Sequence, residues 1–420
     1  MKFTFGIATS TLIGFTSAVI KTGFEVWDES IQAGLVDQSL NYSMIVNPTA
    51  VTRDLELEVD YLVRTKKLNL VSVIGPEHGF RGAAQAGDNV GGDIFDPVNG
   101  LRVIDGYAFR TGAQWAQAYT NTSTNVAVFD IQDAGARFYT YIWTMYDSMV
   151  GAALAGTKYI VLDRPNPIGG LVVDGGIMTP DNASFVGRQA ITQQHGMTVG
   201  ELALLFNNEY LPNDLQLKNS TNKKVDLQII KMKGWTRDMY YEDTGLQWIL
   251  PSPNMPTVNT AMVYPGMCLI EGTTISEGRG TTKPFEVIGA NFIADVGLQN
   301  FINTLNGYNL PGVRFRSQYF TPIGNSNKMN NTLCGGTQVH ITDRDAFRAV
   351  PTGIAVLTAL RDSFPANMTF RADNWFDNLS GSPRLRNLLV AGADYKTIVD
   401  GYQNELSQFK LIRKKYLMYK

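Results

Sequence analysis

Val126-Ala-Val-Phe-Asp-Ile131 runs directly into Gln132-Asp-Ala-Gly-Ala-Arg-Phe-Tyr139, and this junction decides the fold. A short, nearly unbroken apolar run that ends in a Gly-containing polar loop reads as a strand buried on both faces, which is the habit of parallel sheets. The same pattern gives strands at Tyr42–Val46, Leu70–Ile74, Tyr159–Leu162 and Val225–Lys231. Between them, helical periodicity predicts helices near 26–36, 54–66, 107–118, 142–154 and 198–210. The last has a defined start, because Thr198 and Glu201 stand three apart as a capping box ahead of Leu202, Leu204, Leu205 and Phe206. Strand and helix in alternation predict an α/β fold: a Rossmann-like, mostly parallel sheet with helices on both faces.

Pro251-Ser-Pro-Asn-Met-Pro256 suits neither helix interior nor central strand and marks the close of this first unit. Beyond it come a Gly-rich segment over 266–290, a helical pattern at 293–306, strands near 312–320 and 336–342, and helices around 350–363, 383–392 and 395–408. The expected organisation is a signal peptide over 1–18, a Rossmann-like N-terminal catalytic domain over 19–260 and a smaller C-terminal α/β domain over 261–420 that closes the cleft. The leader rests on Lys2, the uncharged stretch Phe3–Ile20 and the small residues Thr16-Ser17-Ala18. It implies secretion, to an extracellular or lysosome-like compartment. No other stretch approaches the ~18 apolar residues of a membrane span.

Composition narrows the function. The 420 residues carry 36 Lys plus Arg against 38 Asp plus Glu, a net charge of −2, so the electrostatic attraction that nucleic-acid binding requires is missing. Forty glycines and 17 prolines argue against a coiled coil. Two cysteines, Cys268 and Cys334, are too few for a disulfide scaffold, although a single bridge between them stays open. Seven Asn-x-Ser/Thr sequons, at Asn41, Asn121, Asn182, Asn219, Asn330, Asn367 and Asn378, accept glycans only in a host that glycosylates exported chains. Three histidines without zinc spacing, and the absence of dinucleotide, P-loop and nucleophile-elbow motifs, leave no expected metal site and no expected cofactor.

Ligands of open parallel sheets sit beyond the carboxyl ends of the strands. Three predicted strand ends deliver Glu77, Asp133 and Asp163, each with an arginine nearby: Arg81, Arg137 and Arg164. Paired carboxylates suit glycoside hydrolysis, where one acid protonates the leaving oxygen and a second group attacks the sugar or activates water. Guanidinium groups beside them suit an anionic substrate. Phe138, Tyr139, Tyr141 and Trp143 offer a face for a sugar ring or, equally, core packing. His78 follows Glu77 and would orient it, while His195 reads as a hydrogen-bonding residue at a helix start.

Six segments together resemble the exo-β-N-acetylmuramidase family: Gly75-Pro-Glu-His-Gly-Phe-Arg-Gly82, Asp130-Ile-Gln-Asp-Ala-Gly-Ala-Arg-Phe-Tyr-Thr-Tyr141, Leu162-Asp-Arg-Pro-Asn-Pro-Ile-Gly-Gly170, His195-Gly-Met-Thr-Val-Gly-Glu-Leu-Ala203, Pro251-Ser-Pro-Asn-Met-Pro-Thr257 and Ser276-Glu-Gly-Arg-Gly-Thr-Thr-Lys-Pro-Phe285. The resemblance runs from about residue 22 to the C-terminus. It implies a glycosidase that releases N-acetylmuramic acid from the non-reducing end of peptidoglycan fragments, with no cofactor. It implies Glu77 as general acid, with His78, Asp133 and Asp163 as further catalytic groups. Substrate would be bound by Arg81, Arg137, Tyr139, Tyr141, Arg164, Asn166 and Asn254, with Glu277 and Arg279 from the second domain. The lactyl carboxylate of muramic acid would pair with Arg81, Arg164 or Arg279. The second group of the mechanism stays open between a carboxylate and the substrate's own acetamido group. A non-catalytic glycan-binding protein on the same fold, or a hydrolase of another amino sugar or of an acyl bond, are the competing readings.

Overall fold

Side chains along the central strands alternate between two separate cores. Tyr42, Met44, Val46, Val126, Val128, Ile160 and Leu162 enter one cluster, with Phe24, Trp27, Val59 and Leu62 from the helices Gly23–Gln32 and Glu58–Thr65. Their neighbours Ile45, Ala127, Phe129, Tyr159 and Val161 enter the other. That second cluster holds the helices Gly112–Asn121, Tyr141–Ala155 and Val199–Leu205. Burial on both faces is why the strands read as continuous apolar runs.

The computed structural model describes residues 19–82, 94–294, 297–324 and 328–420, so the expected signal peptide over 1–18 lies outside the described residues. In chain order the first strands are β1 (Asn41–Val46), β2 (Asn69–Gly75), β3 (Ile94–Phe95), β4 (Arg102–Asp105), β5 (Val126–Asp130), β6 (Lys158–Leu162), β7 (Asp174–Ile177), β8 (Thr192–Gln194) and β9 (Leu227–Ile230). Seven of them form one sheet in the order β3-β4-β2-β1-β5-β6-β9, parallel except for β3 at the edge. Its six parallel strands follow the Rossmann order, with the reversal point between β1 and β5.

Beyond this sheet β10 (Val287–Ala290), β11 (Val313–Phe320) and β12 (Cys334–Ile341) make an antiparallel sheet in the order β10-β12-β11. Beneath it the helices Val258–Met267 and Ala349–Ser363 cross with their backbones in contact. A Cβ on Gly266 would stand 1.9 Å from the Ala349 carbonyl oxygen, and one on Gly353 2.4 Å from that of Gly266, so only glycine fits at the crossing. Cys268 and Cys334 are both free thiols. Among the described residues no helix is long and apolar enough to cross a membrane.

The structure departs from the sequence reading in small elements. β3, β4, β7 and β8 have two to four residues each, too short for periodicity to register. Helix Val258–Met267 was hidden by Pro265 and Gly266 at its end. The expected helix over 198–210 keeps α geometry only to Leu205 and then loosens into a π turn, Phe206–Tyr210. The one expected over 395–408 is two, Tyr395–Asp400 and Gln403–Lys414, parted at Gly401.

The end of the chain returns to the first sheet. The Met418 amide donates to Glu201 (2.7 Å), the Lys420 carbonyl accepts from the Arg237 amide (2.8 Å), and the Tyr419 hydroxyl donates to Asp163 while accepting from the Met232 amide (3.0 Å). Asp163 is fully buried, and burial pushes its carboxyl up to about 7, against the lowering effect of Tyr419 and the Gly200 amide. A carboxyl whose pKa is raised on folding adds stability that is fully present below the unfolded value of about 4 and is gone once pH has risen through about 7. Wild type is therefore expected to lose about 2–4 kcal/mol relative to Asp163→Asn between pH 4 and pH 8, checked by urea unfolding of both proteins at the two pH values.

Candidate active site

β2 ends in a fold-back that presents Glu77. The Gly79 amide donates to the Pro76 carbonyl at 2.8 Å, so Glu77 and His78 are the two central residues of a tight turn. His78 takes a positive φ of 71°, the conformation such a turn favours in glycine and one strained for a side chain. Gly75 leaves the room for this reversal, since a Cβ there would meet the Phe80 amide nitrogen at 2.6 Å. Glu77 is half-buried, and the Thr140 hydroxyl donates to its Oε2 at 2.7 Å. Burial and then the Glu77 charge push the Tyr107 phenol up to about 12.

Asp133 comes from the loop after β5, two strands across from Glu77. The Gly135 amide donates to its Oδ2 at 2.8 Å, and His195 Nε2 lies 3.2 Å from the same oxygen. The charges of both acids act on the buried phenols of Tyr139 and Tyr141, which burial raises first. Between the two acids, at the end of β1, stands Asn47, fully buried. Among the described residues Asn47 Nδ2, Gln132 Oε1, Asp133 Oδ1 and the Tyr139 hydroxyl are all buried without a hydrogen-bond partner. Each such atom costs about 1–3 kcal/mol. All four follow β1 or β5, the strands between which the sheet order reverses, the edge where open parallel sheets take their ligands.

An aromatic chain leads from these acids to the second sheet. Tyr139 meets Tyr141 (5.0 Å between ring centroids) and Tyr264 (5.7 Å) edge to face, Tyr264 meets Phe285 (4.8 Å), and the Arg279 guanidinium lies over Phe285 (5.1 Å). Arg279 pairs with Glu271 (2.6 Å) and Glu277 (3.5 Å), and Lys328 approaches Glu277 at 2.8 Å. A separate cleft of about 590 Å³ opens beyond Gln132, lined by Thr49, Arg53, Arg164, Tyr241 and Gln247, and Glu77 and Asp133 are not among its lining residues.

Several residues expected at the site are occupied elsewhere. Asp163 reaches the same sheet edge, but its carboxylate turns inward, accepting from the Thr198 hydroxyl (2.8 Å), the Gly200 amide (2.8 Å) and Tyr419. It closes the start of helix Val199–Leu205. Arg164 is buried between Glu58 and Asp130, and Arg81 is engaged by Asp60 and Asp96. Arg137 is fully buried and donates to the Leu379 carbonyl (2.7 Å). Asn166 donates to the Met197 carbonyl (3.0 Å) and accepts the Ile168 amide, shaping its own loop. Asn254 is half-buried on the Pro251–Pro256 turn. The sequence reading passed over Asn47, although the strand-end rule that selects Glu77 selects it too. It also missed Thr140, Tyr107 and Tyr264, whose proximity only the folded chain creates.

A Rossmann-ordered sheet that brings Glu77 and Asp133 to one edge, beside buried tyrosines, is an arrangement that suits a glycoside hydrolase. Residues 42–259 match the family model for the N-terminal region of exo-β-N-acetylmuramidase NamZ, and residues 262–419 match that for its C-terminal region. The peptidoglycan β-N-acetylmuramidase NamZ of Bacillus subtilis (strain 168) is 46% identical over 376 residues, covering 90% of this chain and 86% of the relative. Two crystal structures of DUF1343 family proteins from Bacteroides fragilis NCTC 9343 superimpose with TM-scores of 0.83 and 0.74, at 32% and 28% identity, each covering 96% of this chain and 99% of its own. The chain belongs to the exo-β-N-acetylmuramidase NamZ family and is a glycoside hydrolase.

Arg164 separates a substrate-binding role from a structural one. Burial, reinforced by Asp130, holds Glu58 well above the usual carboxylate range, and Arg164 is the cation that opposes this. Arg164→Met is expected to cost about 3–5 kcal/mol at neutral pH, and less at pH 5, where the Glu58 carboxyl, pushed up by burial, is more readily protonated. Urea melts at the two pH values check this, and the KM of the folded fraction should stay at the wild-type value.

Proposed function

We propose that the chain is an exo-acting glycosidase that releases N-acetylmuramic acid from the non-reducing end of peptidoglycan fragments, with Glu77 as general acid. The observation that carries this reading is the strained turn that lifts Glu77 to the reversal point of the sheet. There the Thr140 hydroxyl fixes Oε2, and the Tyr107 phenol stands close enough to feel the Glu77 charge. A carboxyl held by one oxygen is placed to give the proton on the other to a glycosidic oxygen. Asp133, across β1, is the second carboxylate, with its own unpaired Oδ1 toward the sugar.

Of the three arginines considered for the lactyl carboxylate, Arg279 fits best. Arg164 is buried, and Arg81 and Arg279 are each part-exposed and engaged by two acids, but only Arg279 stands at the far end of the aromatic wall that starts at the strand-end acids. The name of the B. subtilis relative, a peptidoglycan β-N-acetylmuramidase, supports the choice of substrate. Secretion, read from residues 1–18, belongs to the same proposal.

The test is turnover of chromogenic β-glycosides of N-acetylmuramic acid and of N-acetylglucosamine. Release from the muramic acid glycoside, and little from its analogue without the lactyl group, is the expected result; release from neither would sink the reading. Glu77→Gln is expected to lower kcat by about 10²–10⁴-fold, with unfolding unchanged. A fully active variant would remove Glu77 from the acid's role.

A further inference from the structure

Asp133 is held through only one of its oxygens. Oδ2 receives the Gly135 amide and lies 3.2 Å from His195 Nε2, while Oδ1 and Nε2 are both buried without a hydrogen-bond partner among the described residues. His195 is completely buried and held by two hydrogen bonds. Its Nδ1 accepts the Met197 amide at 3.2 Å, and its carbonyl accepts from Arg413 Nε at 3.0 Å. β8, which ends one residue before it, is tied to the Asp133 loop by the Ala136–Gln194 bridge and by the Arg137 amide donating to the Gln193 carbonyl at 2.8 Å. A ring nitrogen that accepts an amide N–H carries no proton. The neutral imidazole therefore keeps its hydrogen on Nε2, the atom that faces Asp133.

We propose that His195 is a positioning residue for Asp133: its unpartnered Nε2–H, 3.2 Å from Oδ2, closes onto that oxygen when the sugar binds and, with the Gly135 amide, clamps it, so that Oδ1 is the oxygen presented to the reacting sugar. An unclamped carboxylate can rotate and offer either oxygen, and small misplacements of a reacting group are costly in rate. No proton leaves His195; it contributes a hydrogen bond and an orientation. The inference rests on the reading of Asp133 as the carboxylate that faces the substrate.

The test compares His195→Gln and His195→Asn in the full chain, using the N-acetylmuramic acid glycoside and thermal melts as a check on folding. A glutamine amide can place an N–H where Nε2 stands, while the shorter asparagine reaches only the Nδ1 position. His195→Asn is expected to lose about 10–100-fold in kcat with KM within about twofold, the size typical of lost support to a site residue, and His195→Gln to recover most of that loss. In the Asp133→Asn background, His195→Asn should cost no more than about twofold further, because the clamp then has no carboxylate to hold. Equal activity of the two His195 variants, or penalties that multiply in the double variant, would overturn the clamp. If His195→Asn does not fold, His195→Gln decides: kcat within about threefold of wild type supports the clamp and a loss beyond tenfold overturns it. Wild-type turnover by Asp133→Asn would instead overturn the underlying reading of Asp133, whatever the His195 variants do.

Discussion

A guanidinium with no carboxylate beside it holds the strand-end platform to the rest of the molecule. Arg137 is fully buried, and burial lowers its pKa to about 10, which leaves it charged at neutral pH. Its charge is answered by main-chain carbonyls at the end of helix Trp375–Ser380, the negative pole of that helix. Its own amide donates to Gln193, and its carbonyl accepts the Trp143 indole N–H at 2.6 Å. One residue thus joins the loop after β5, β8, the long helix Tyr141–Ala155 and the C-terminal half. The position of Asp133, four residues before it, depends on all of these.

The sequence made the sheet legible because the strands that build it are buried on both faces. Runs such as Val126–Ile131 cannot be mistaken for amphipathic helix, and their order in the chain fixed a Rossmann-like plan. Glu77 and Asp133 were legible for the same reason, since residues that follow a parallel strand arrive at one edge. The strand-end rule did not reveal which way a side chain turns once there. Asp163 and Arg164 satisfy it as well as Asp133 does, but Asp163 caps a helix and Arg164 neutralises two buried acids. Those partners lie 34 or more residues away in Thr198, Gly200, Asp130, Glu58 and Tyr419, and no local pattern announces them. His195 was legible as a hydrogen-bonding residue, but not its place beside Asp133, which is set by the bridge between β8 and the Asp133 loop.

Stability and chemistry divide the polar residues of the interior between them. Arg164, Glu58, Asp130, Arg237 and Glu201 are buried ions with counter-ions in contact, an arrangement that fixes one geometry more than it stabilises. Around Asn47, Gln132, Asp133 and Tyr139, by contrast, polar atoms are buried without a hydrogen-bond partner and without a counter-ion pair of this kind. A free energy of several kcal/mol is left unrealised there until a ligand arrives, which is the usual relation between a preorganised site and its fold.

The crossing of Gly266 over Gly353 bears on how the molecule comes apart. Two backbones in contact leave no side-chain slack between these two helices of the C-terminal half. The core beneath them runs unbroken from Phe129 in β5 through Tyr264 to Phe409 near the chain's end. Heat or denaturant therefore meets a single cooperative unit across the two sheets, and neither half, cut away, would retain a closed interior of its own.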